Sequence, residues 1–203
     1  MPPATAVAAE RPVDLAESAF DLMSKKGIGN VNLDDIARHA GVTKGSLYWH
    51  YRSKQELLEA AAMHYYKTWH RRVNAEVAEC DDALERLERV MLFSVDSCML
   101  DERNRIFSTD LFALSLHNPA IRRSWAQFYD SVREYYIGLV LAAKRAGKVS
   151  TPDPRRAVDL MLACFEGIKQ RASFEPSILS EKELICRELM QVILSAGGEA
   201  SRE

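Results

Sequence analysis

VNLDDIARHAGVTKGSLYWHYRSK, residues Val31–Lys54, is the stretch on which the reading of this chain turns. Two short segments of helical spacing, Asn32–Ala40 and Thr43–Tyr51, meet at Ala40-Gly41-Val42. Glycine in a tight inter-helix turn supplies the positive φ that other residues resist, and Val42 plugs the angle between the helices. Ile36, Ala37 and Ala40 give the first helix an apolar side of small and branched residues, while Leu47 anchors the second. That second helix is too polar to exist for the sake of a core: Thr43, Lys44, Gly45, Ser46, Tyr48, Trp49 and His50 cannot all be buried.

Charge sharpens the point. Between Asp35 and Glu56 there is no acid, whereas Arg38, Lys44, Arg52 and Lys54 are fixed cations and His39 and His50 add conditional charge. The whole chain holds 27 Lys and Arg against 29 Asp and Glu, a formal net charge of −2. A uniformly basic nucleic-acid binder is thereby excluded, and a local surplus of this kind is where a polyanion would bind. Short hydroxyl and glycine positions at the start of the second helix allow close approach, with helix-end amides open to phosphate. Lys44 has the reach for a guanine edge, and Tyr48 for a thymine methyl or a phosphate.

Outward from this stretch, no segment alternates long enough to form a sheet, and helical spacing recurs between breakers. A first helix is predicted from Pro12 or Val13 to Lys26, closed by Gly27 and Gly29. After the central pair, a longer helix is expected from Ser53 to about Cys80, with Ser53 as N-cap and Glu56 completing a capping box. Further helices are predicted from Asp81 or Asp82 to Leu100, over Glu102–Leu116, and from Asn118-Pro119 to Ala146. The last two run from Asp153-Pro154 to Ser173 and from a Ser180 cap, with Glu183 three residues on, to Ala196. The expectation is an all-α fold of nine helices: a tail over 1–11 taken as disordered, a DNA-binding domain over 12–69 and a second domain over 70–203.

Hydrophobic residues make up 47% of the 203 and charged residues 28%, an ordinary globular balance. Cys80, Cys98, Cys164 and Cys186 form no CxxC pair and lie in apolar patterns, so each is expected to be a small buried thiol. No run reaches the length a membrane helix needs, and the N-terminus lacks a signal-peptide pattern, so a cytoplasmic protein is expected. His64 and His70 do not share a helical face, and no HExxH, GxSxG, GxGxxG or P-loop occurs. An enzyme is therefore not expected, nor a metal or cofactor.

The segment around DDIARHAGV and KGSLYWHYRSKQELL resembles the tetracycline-repressor (TetR) family over about Ala9–Trp69. The IA-x-x-AGV turn, the K-G-x-L-Y helix, the aromatic-His-aromatic run and the Ser-Lys cap all match. The resemblance implies a three-helix DNA-binding domain followed by six helices for ligand binding and dimerisation. It places Thr43–Tyr51 in the major groove of operator DNA, with Thr43, Lys44, Gly45, Ser46 and Tyr48 at bases or adjacent backbone. Trp49, His50 and Lys54 would contact or position against phosphates, Tyr51 completes the DNA-binding set, and Asn32, where threonine is commoner, would cap the preceding helix against the backbone. The implied protein is a homodimer that represses from a palindromic operator and is released by a small, largely apolar effector. An activator, or a response to a protein or redox signal, is the alternative.

The resemblance also implies a four-helix bundle made from the last two helices and their mates. Both helices are apolar on more than one side, and Met161, Phe165, Ile168, Leu189, Val192 and Ile193 are the candidate interface residues. The family's central helices enclose a ligand. Met91, Phe107, Phe112, Trp125, Phe128 and Tyr129 are candidate lining residues, although aromatics at helical spacing also serve simply as core. Asp110, between Ile106 and Leu114, either meets a cationic effector or sits at a solvated edge.

Overall fold

The turn signals read above become helix ends of known type. In the computed structural model, which describes residues 12–195, Gly41 adopts φ 69°. The Gly41 and Val42 amides bond back to the carbonyls of Arg38 and Ala37, at 3.3 and 3.0 Å. This is the paired closure that a left-handed residue allows at a helix end. Gly147, at φ 71°, closes a later helix in the same way.

Among the described residues there are nine α-helices and no strand. They are α1 (Pro12–Lys26), α2 (Leu33–His39), α3 (Lys44–His50), α4 (Lys54–Glu76) and α5 (Ala83–Ser94). Then come α6 (Glu102–Ser115), α7 (Pro119–Arg145), α8 (Pro154–Arg171) and α9 (Lys182–Ser195). None of these helices is long and apolar enough to cross a membrane. The tail expected over residues 1–11 lies outside the described residues.

Three elements differ from the sequence expectation. α4 stops at Glu76, short of Cys80. The helix expected to run to Leu100 leaves α-geometry at Val95 and continues as a π-helical stretch, Val95–Leu100. Widened turns leave carbonyls without their usual partners, and here Asn104 Nδ2 donates to the Ser97 carbonyl at 2.8 Å. Ser180 does not cap α9. It ends a 3-10 turn, Pro176–Leu179, and the first turn of α9 closes on the Glu181 carbonyl, with the Ile185 amide at 3.0 Å.

The chain forms two compact units. One comprises the residues through Trp69 together with Ile106–Trp125; the other comprises His70–Arg105 and the residues from Ala126 onward. α6 and the start of α7 thus contribute to the first unit, whereas the sequence reading assigned everything past residue 69 to the second. In the first unit Leu15, Ala19, Leu22, Met23, Ile36, Leu47, Leu57 and Leu58 are buried, joined by Phe107, Leu111 and Ile121. Burial of each large apolar side chain contributes about 1.5–3 kcal/mol. Phe20 meets Phe107 edge-on, with ring centroids 4.9 Å apart.

In the second unit, Tyr136 is buried and its hydroxyl donates to Ser94 Oγ at 2.9 Å. Lys169 is also buried, donating to Glu166 Oε1 at 2.6 Å. Burial, then the Glu166 carboxylate, pushes the Tyr129 phenol well up. The expected interface set divides. Met161, Phe165, Leu189 and Ile193 are buried within the subunit, so they serve its own core. Ile168 and Val192 are half-buried. The apolar residues left exposed on α8 and α9 are instead Leu160, Leu184 and Leu194. Cys164, expected to be buried, is exposed, and Cys186 is half-buried.

Candidate nucleic-acid interface

Two capped helices set the interface. Asn32 Oδ1 accepts the Asp35 amide at 2.9 Å and Asp35 Oδ2 accepts the Asn32 amide at 3.1 Å, a reciprocal capping box at the start of α2. The Asn32 backbone and the Arg38 guanidinium hold the Asp35 carboxyl below its usual range. Thr43 Oγ1 accepts the Ser46 amide at 3.1 Å, capping α3. At α4, Ser53 Oγ accepts the Glu56 amide as expected, but the Glu56 carboxylate returns to the Arg52 amide instead of that of Ser53.

On α3, Leu47 is fully buried, while Tyr48 is 41% and Trp49 81% exposed. Thr43, Lys44 and Gly45 are exposed alongside, and Ser46, His50, Tyr51 and Lys54 are half-buried. The Trp49 and His50 rings pack edge-on, centroids 4.6 Å apart. Burial pushes the Tyr51 phenol up.

Folding changes the charge pattern. Lys44 Nζ donates to Asp34 Oδ2 at 2.8 Å and stands 5.7 Å from the Tyr48 ring centroid. The Asp34 carboxylate raises the Lys44 pKa. Arg38 pairs with Asp35 at 3.2 Å and His39 meets Asp21 at 2.7 Å. Acids from outside the acid-free window therefore reach three of its basic residues. Arg52 and Lys54 have no ion pair among the described residues.

The expected effector residues are divided between the two units. Phe107, Asp110, Phe112 and Trp125 belong to the first unit, and Met91, Phe128 and Tyr129 to the second. Met91 and Phe107 are fully buried, Trp125 and Phe128 nearly so, and Phe112 is exposed. Asp110 is half-buried, and its Oδ2 accepts the Ile28 amide at 2.8 Å. It also lines a cleft of about 470 Å³ with Ile28, Lys54, Leu58, Leu114 and His117. A second cleft of about 520 Å³, in the other unit, is lined by Arg72, Glu76, Phe93, Asp96 and Asp101.

These capped helices and the exposed aromatic face define a helix-turn-helix DNA-binding protein. Residues 15–61 match the family described as bacterial regulatory proteins, tetR family, so the N-terminal part of the chain is similar to the DNA-binding region of those transcriptional regulators. It is 29% identical to the HTH-type transcriptional regulator TtgR of Pseudomonas putida, over 78% of this chain and 77% of that protein. A transcriptional regulator from Saccharomonospora viridis, solved in complex with choline, superposes with a TM-score of 0.79 at 21% identity. That match covers 90% of this chain and 94% of that one. FadR from Bacillus subtilis, in complex with stearoyl-CoA, gives 0.73 at 15% identity, over 92% and 99%.

Proposed function

We propose that this regulator is a homodimeric repressor that reads a palindromic operator through α3 and is released by a small, largely apolar effector. The observation that carries the reading is α3 itself: a helix capped by Thr43 and anchored by Leu47 that holds Tyr48 and Trp49 in solvent. Thr43, Lys44, Gly45, Ser46 and Tyr48 contact bases or adjacent backbone. Trp49, His50, Tyr51 and Lys54 lie at phosphates, and Asn32 fixes α2 against the backbone. The exposed Leu160, Leu184 and Leu194 support a two-fold contact through α8 and α9. Such a dimer places two α3 helices on half-sites about one helical turn, or a multiple of it, apart.

Release follows from linkage. An effector that favours wrongly spaced reading heads weakens operator binding, and operator weakens effector binding by the same factor. α4, which supplies residues to both units, is the lever. Choline and stearoyl-CoA, bound by two proteins of this fold, are chemically unlike. The fold therefore does not select the effector; the aromatic interior of this chain favours an apolar one.

The test is a mobility shift on an operator selected from random duplexes. Lys44→Ala with Tyr48→Ala should weaken binding at least about thirtyfold, at roughly 1–3 kcal/mol per lost contact, with far-UV circular dichroism unchanged. Undiminished binding would remove α3 as the reading helix.

A further inference from the structure

We infer that Asp110, on α6 and outside the stretch that reads DNA, is a positioning residue for operator binding, acting through its hydrogen bond to the Ile28 amide. The inference rests on the reading of α2 and α3 as the DNA-binding pair.

The geometry runs through consecutive short links. α1 ends at Lys26 and the chain reverses at Gly27, which holds φ 83°. Ile28–Asn30 then forms a single 3-10 turn whose first amide has no partner within the turn. Asp110 Oδ2 supplies that partner at 2.8 Å, from 82 residues away. Ile28 and Val31 on either side of the turn are buried, at 3% and 2% exposure. The next residue is Asn32, whose capping box starts α2. One carboxylate oxygen therefore fixes the turn whose exit sets the register of α2, and α2 carries α3 across Gly41. Gly27 suits the reversal because its φ of 83° is one that residues with a Cβ rarely adopt.

A cap on a turn also contributes to stability, so the inference needs an observation that separates positioning from charge. Electrostatics supplies one. The chain has a net charge of −2, and removing an acid from a protein that binds a polyanion should tighten binding if the acid merely repels phosphate. Removing a positioning contact must do the opposite, since only the fraction of heads with α2 in register is competent.

The experiment measures binding of the full-length chain to the selected operator duplex by fluorescence anisotropy, across a salt series, together with amide exchange at Ile28 and Val31. Asp110→Ala should weaken operator binding about five- to tenfold, leave the salt slope unchanged because no phosphate contact is lost, and speed exchange at Ile28. Asp110→Asn removes the same charge but keeps a carbonyl acceptor, and should restore affinity to within about twofold of the parent. Tightening by both variants would overturn the inference in favour of simple repulsion. So would wild-type affinity in Asp110→Ala, or failure of Asp110→Asn to rescue at equal folded fraction. The Lys44→Ala, Tyr48→Ala protein in the same assay keeps the two claims apart. If it still binds, the reading of α3 fails; if it loses binding while Asp110→Ala does not, only the positioning role fails.

Discussion

The α2–α3 pair and the α8–α9 pair use helices in opposite ways. α3 buries one leucine and leaves two aromatics in solvent, so its stability comes from caps, a left-handed glycine and a single anchor. α8 and α9 bury Val158, Met161, Phe165, Leu189 and Ile193 against their own unit, and their stability is packing. In the first pair few side chains are buried in a core. In the second, the large apolar side chains are mostly taken up by the core, and Leu160, Leu184 and Leu194 are the large ones left exposed.

That contrast can be broken most forcefully in the packed pair. Leu189, 1% exposed, should cost about 3 kcal/mol on truncation to alanine, read as a lower urea midpoint. A loss under about 1 kcal/mol would show that α9 is not held by its core face. In the reading pair the comparable change is Gly41→Ala. The left-handed turn at φ 69° then carries a Cβ, at about 1–2 kcal/mol, and operator affinity should fall with stability. Trp49→Ala sharpens the contrast from the other side. At 81% exposure, its removal should change unfolding free energy by less than about 0.5 kcal/mol while measurably weakening operator binding. Equal losses of stability and binding would mean Trp49 belongs to the fold.

The smallest effect is a titration. The Asp35 carboxyl is held low by the Asn32 amide and Arg38. With its folded pKa below the unfolded value of about 3.9, its stabilisation is complete above that value and is lost as pH falls through the lower folded value. Amide protection across α2 should therefore drop below about pH 4, and Asp35→Asn should abolish that dependence. An unchanged acid profile in Asp35→Asn would place the transition on another group.

Much of the reading head was legible because its determinants are close in sequence. Gly41, the Thr43 cap, the Leu47 anchor and the exposed Tyr48 and Trp49 all lie within nine residues, and each acts over one turn of helix. The Asn32–Asp35 capping box carried the same short-range signal, with Asx followed three residues on by an acid, and could have been named. The acid-free window was a true statement about sequence and an incomplete one about space. Asp34 lies just before it, yet reaches Lys44 across the turn. Four of the six interface residues expected on α8 and α9 are buried within the subunit, because a helix apolar on two sides does not say which side meets its own subunit. Nor does an aspartate on an apolar face announce that it will cap a turn elsewhere.

By itself, the sequence determined the all-helical class, the helix-turn-helix and the family resemblance, since spacing, caps and turn glycines operate within a few residues and need no distant partner. Only the tertiary structure decided that Asp110 meets Ile28, that Lys44 is held by Asp34, and which face of α8 is buried. It also decided where the π-helical stretch replaces α-helix and that α6 joins the DNA-binding unit. Those outcomes depend on which surfaces meet when helices pack, and competing pairings of similar apolar faces differ by amounts that local pattern does not encode.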